Sequence, residues 1–76
     1  MATFKLKLIG VNNDGSRIFT VLRYGKKRLL KGFYDFDTEH FTILQYNDKN
    51  FPDGMNRKHI LAILKERLML EHNWEL

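Results

Sequence analysis

Cysteine is missing from all 76 positions, proline and tryptophan occur once each, and serine occurs only as Ser16. Without cysteine there is no disulfide framework, no thiolate metal site and no cysteine nucleophile. Ser16 stands in a turn-forming stretch with no nucleophile-elbow motif around it, so it reads as a turn residue. Long apolar runs are missing too. The opening MATFKLKLIG is too short and too interrupted by Lys5 and Lys7 for a signal peptide, and nothing approaches the roughly 18 apolar residues of a membrane span. The five glycines are scattered, without a phosphate-binding or dinucleotide fingerprint. The expectation is a cytoplasmic protein that does not engage a membrane.

Metal and acid–base chemistry are poorly supplied. His40, His59 and His72 do not cluster, and a zinc site needs three or four convergent ligands. The stretch from Asp48 to Gly54 superficially follows a calcium loop, but Pro52 falls at the fifth loop position, Asp53 at the sixth and His59 at the twelfth. Asp35, Asp37, Glu39 and His40 form the densest ligand group, and the expectation there is a solvated acidic turn. A chain this small has little volume for a water-excluding pocket. No catalytic residue, metal or cofactor is therefore assigned, and the expectation is that the chain is not an enzyme.

What is present is enough for one core: 43% hydrophobic residues, with six Phe, three Tyr and one Trp. The net charge of +4 is unevenly distributed. Residues 1–34 hold eight Lys or Arg against Asp14 alone, a balance of +7, whereas residues 35–76 hold five against eight acids, a balance of −3. Such a split makes a dipolar molecule whose basic part attracts anionic partners. The bias toward Phe, Ile, Lys, Asn and Tyr over Gly, Ala, Arg and Pro points to an AT-rich gene. A short, cysteine-free chain of that kind, without catalytic equipment, fits the profile of phage-encoded accessory proteins.

The patterning predicts one α+β domain over residues 1–76, with strands over about 3–10, 17–24, 28–36 and 41–46 and a helix over about 57–73. Phe4, Leu6 and Leu8 alternate with Lys5 and Lys7, and Asp14-Gly15 marks a hairpin. Arg17 to Tyr24 is apolar on both faces, as a central strand is. Arg28 to Phe36 reads as a short strand with Gly32 as a bulge position, against a competing helical turn over Lys26–Lys31. Asp53 or Asn56 caps the helix, whose apolar arc holds Ile60, Leu61, Ile63, Leu64, Leu68, Leu70 and Trp74. The fold expected is a small two-layer domain: a three- to four-stranded antiparallel meander packed on one C-terminal helix.

Two function classes compete for the basic segment. The leading expectation is a small binding module or inhibitor that occludes a protein partner with an acidic surface. Its contact residues are Lys5, Lys7, Arg23, Tyr24, Lys26, Lys27, Arg28, Lys31 and Tyr34, with Arg67 and Met69 contributing from the helix. Trp74 continues the apolar arc, and Arg67 stands one turn before Glu71 as a local ion pair. The alternative is nucleic-acid binding through the same cation–aromatic patch around residues 23–34, where bases neutralise phosphates and rings stack on unpaired bases. Self-association of the basic and acidic parts is a third arrangement.

Overall fold

The computed structural model describes the backbone of residues 3–72 and the side chains of residues 3–70. Four strands run in chain order, β1 (Phe4–Val11), β2 (Arg17–Tyr24), β3 (Lys27–Asp35) and β4 (His40–Tyr46), followed by a single 3₁₀ turn at Asp48–Asn50 and the helix α1 (Arg57–His72). The strands form one antiparallel meander in the order β1-β2-β3-β4, so β2 and β3 are central. Trp74 and the Glu71 side chain lie outside the described residues.

Local chemistry sets each connection. In the β1–β2 turn, the Asp14 carboxylate accepts hydrogen bonds from the Ser16 hydroxyl at 2.6 Å and the Ser16 N–H at 2.9 Å. These bonds hold the Asp14 carboxyl below its ordinary range. Gly15 supplies the left-handed φ of 77° that a side chain resists. The β2–β3 connection is a two-residue turn, Gly25-Lys26, across which Tyr24 faces Lys27; the helical alternative over Lys26–Lys31 does not occur. At the start of α1, Asn56 is the cap: its side-chain oxygen accepts the His59 N–H at 3.2 Å. The Asn56 N–H in turn donates to His59 Nδ1, also at 3.2 Å. This reciprocal pair satisfies backbone donors that the first helical turn leaves open.

The core lies between α1 and one face of the sheet. Ile60, Leu64 and Leu68, spaced four residues apart, are wholly buried against Leu6, Leu22, Leu29 and Leu30. Phe4, Tyr24, Phe41, Ile43 and Tyr46 pack around this cluster. Each fully buried leucine contributes about 1.5–3 kcal/mol. Leu70 departs from the expected arc and is 70% exposed. It stands about 120° round the helix from Leu64 at 100° per residue, beyond the reach of the sheet.

Three irregularities in strand pairing shape the faces. Ile9 is an extra residue in β1 against β2, Leu29 in β3 against β2, and Leu44 in β4 against β3. The third falls beside Gly32, but the unpaired residue is on β4 and not at the glycine. Gly32 serves a close approach, since a Cβ there would run into the Phe41 ring and the Thr42 carbonyl. The bulge at Leu29 lets two successive leucines, Leu29 and Leu30, both enter the core. A consequence for the opposite face follows directly: Arg28 and Lys31, three residues apart, share one side of the sheet.

Candidate binding face

No element among the described residues covers the other face of the sheet. Its side chains come from alternate strand positions and lie in rungs across the strands. The first rung is Lys5, Arg23 and Arg28, each directly opposite the next. The second is Lys7, Val21, Lys31 and Gln45. Phe19, Phe33 and Thr42 follow, and Arg17, Asp35 and His40 close the array. Neighbouring strands stand about 4.8 Å apart and successive rungs about 6.8 Å. The face is therefore a small grid of cations adjoining a pair of rings.

The cations of the first two rungs have no ion pair among the described residues. Like charges directly opposite each other in a sheet destabilise it, and the first rung places three in a row. Arg23 is half-buried, and its Nε–H lies out of reach of solvent with no hydrogen-bond partner. Val21, paired between Lys7 and Lys31 in the second rung, is only 3% exposed although no helix among the described residues covers it.

The far end of the face is organised differently. The half-buried rings of Phe19 and Phe33 meet at a centroid distance of 5.4 Å, and the Arg17 guanidinium lies 4.8 Å from the centre of the Phe33 ring. Arg17 Nε donates to Asp35 at 3.2 Å. Asp35 also accepts the Asp37 N–H at 2.9 Å and the Thr38 N–H at 3.4 Å. Burial of Asp35 opposes its ionisation, but the Asp37 N–H and the Arg17 guanidinium outweigh this, and its carboxyl stays below the ordinary value of 3.8. Asp35, the carboxylate that the paired strand positions among the described residues place on this face, is thus engaged by Arg17 and the following turn.

Of the residues singled out in the sequence, the fold gathers Lys5, Lys7, Arg23, Arg28 and Lys31 on this face. Lys26 sits at its end in the β2–β3 turn, whereas Lys27, the direct partner of Tyr24, falls on the helix side. Tyr24 and Tyr34 are on the helix side. The Tyr24 ring packs on Phe4 at 4.7 Å, and Tyr34, 5% exposed, meets Phe36 edge-on at 5.0 Å. On the helix, Met69 is exposed and Arg67 half-buried, apart from the cation grid. Phe19 and Arg17 were not singled out as contacts; their signal is the period-two spacing Arg17, Phe19, Val21, Arg23 along one strand.

Other chemistry is sparse. No group of three or more His, Asp or Glu among the described residues is placed to hold a metal ion. Asp35 is committed to Arg17 and the turn that follows it, and Asp48 pairs with Arg57 at 2.9 Å. Arg57 also lies over the Tyr46 ring at 4.6 Å, and the Asp48 contact raises its pKa while lowering that of Asp48. No helix among the described residues is long and apolar enough to cross a membrane.

Fold and surface together define a two-layer α+β protein with one helix-covered sheet face and one open, basic face. The chain matches no protein-family model, no curated protein and no solved structure.

Proposed function

We propose that the chain is a small non-enzymatic binding module whose working surface is the open basic face and whose partner is a polyanionic macromolecule. The observation that carries this reading is the rung Lys5–Arg23–Arg28, three cations opposite one another without an acid. Such an arrangement costs stability in the free protein and becomes favourable when an anion lies across it. An occluding inhibitor that covers an acidic protein surface uses this face in the same way. So does a nucleic-acid-binding protein, and the Phe19–Phe33 pair favours the second.

Binding of poly-glutamate and of an oligonucleotide to the wild type and to the double variant Arg23→Met/Arg28→Met tests the reading. Methionine keeps an unbranched apolar side chain and removes the charge. The wild type is expected to bind at least one polyanion, and the variant to bind it about tenfold or more weakly, as loss of about 1.4 kcal/mol implies. Equal binding by both proteins, or binding by neither, contradicts it.

A further inference from the structure

Two features of the open face are unlike a generic basic patch. The cations are held on strands, in two rungs whose positions the pairing fixes, and the next rung is aromatic. Phe19 and Phe33 are half-buried, outside the hydrophobic cluster under α1, and in contact with each other. A phenyl ring on an exposed sheet face offers a flat apolar surface, which unpaired bases match because every base has a π-face. A duplex hides those faces within its own stack. An acidic protein surface supplies carboxylates for the cations but has no general need of the rings.

The Arg17–Asp35 pair adds to this. Asp35 fixes the guanidinium over the Phe33 ring, so one planar cation is part of the aromatic end of the face. Arginine planes also stack on bases. The face thus runs from charge to flat surface, the order in which a nucleotide presents its phosphate and its base.

We infer that the open sheet face binds single-stranded nucleic acid, with phosphates on the Lys5–Arg23–Arg28 and Lys7–Lys31 rungs and a base stacked on the Phe19–Phe33 pair. This rests on the polyanion reading of the same face. Contacts to phosphates and ring faces carry little base information, so binding is tolerant of sequence.

Fluorescence anisotropy with a labelled oligothymidylate of about 12 nucleotides, within the range that small sheet domains cover, tests the inference against a duplex of equal length and against poly-glutamate. The single strand is expected to bind most tightly. Its affinity should fall with salt by about 0.7 in log–log slope per phosphate neutralised, and Arg23→Met/Arg28→Met should reduce that slope by about 1.4. Phe33→Leu is expected to weaken binding by about fivefold or more, the lower end of what one stacked base contributes, while Phe33→Tyr preserves it. A circular-dichroism melt of each variant separates loss of binding from loss of fold. If Phe33→Leu does not fold, the aromatic signals of Phe19 and Phe33 in the wild type serve instead, and they must shift on adding the oligonucleotide.

Equal affinity for single strand and duplex, with Phe33→Leu unaffected, overturns the stacking inference and leaves the polyanion reading standing. So does preference for poly-glutamate, which restores the acidic protein as the partner. Failure of all three probes to bind at low salt overturns both.

Discussion

The two faces of the sheet are built from the same strands and obey opposite rules. On the helix side, cross-strand neighbours Leu6, Leu22 and Leu30 meet in one row and are sealed by Ile60, Leu64 and Leu68. On the open side, the adjacent row is Lys5, Arg23 and Arg28. The first row is a set of like groups that attract through burial, and the second a set that repel through charge. Stability is therefore concentrated on one face. The other carries a row of like charges that has no ion pair among the described residues.

The largest expected effect lies on the covered face. Leu64→Ala opens a cavity at a wholly buried position and should destabilise by about 2–5 kcal/mol in chemical denaturation. Next is Gly32→Ala, where the added methyl meets the Phe41 ring and the Thr42 carbonyl. Overpacking of this kind costs about 1–3 kcal/mol, read in the same experiment.

The open face should respond in the reverse direction. Arg23→Met/Arg28→Met relieves like-charge contacts and is expected to stabilise the free protein by about 0.2–1 kcal/mol. Added salt should raise the melting temperature of the wild type more than that of the variant, because it screens the repulsion the variant lacks. A melting temperature that falls in the variant would show the rung to be structural.

The smallest effect is at the edge between the two regimes. Asp35 has a folded-state pKa below its ordinary 3.8, so its contribution to stability is present above that value and is lost as pH falls through the folded one. Asp14 and Asp48 shift the same way. Between about pH 5 and pH 2 the wild type should lose melting temperature more steeply than Asp35→Asn. Parallel curves would mean that Asp35 adds nothing through its charge.

The covered face was the more legible in the sequence, again for a physical reason. Alternation in β1, the apolar arc of α1 and the Asp14-Gly15 turn lead to a meander under a C-terminal helix, and the structure has that architecture. Period-two and period-3.6 patterns report burial, and this face is where burial happens. The open face is polar and depends on register. Reading Arg23 to Tyr34 as a continuous patch places Tyr24 and Tyr34 with the cations, whereas alternation turns both rings to the other side. The bulge at Leu29 then reverses the parity between Arg28 and Lys31. Nothing in a hydropathy pattern marks that residue, because a leucine in the core is compatible with either register. The partnership of Phe19 with Phe33 likewise exists only once β2 and β3 are paired.

The most direct test uses two neighbours in β2. Val21 points to the open face and Leu22 to the helix, so their methyl groups sample the two sides of one sheet. In a methyl-resolved NMR titration with the single-stranded oligonucleotide, the Val21 methyls are expected to shift while the Leu22 methyls stay in place. Shifts at Leu22 and along α1 with Val21 unmoved, or no shifts at either residue, would contradict the open face as the binding surface.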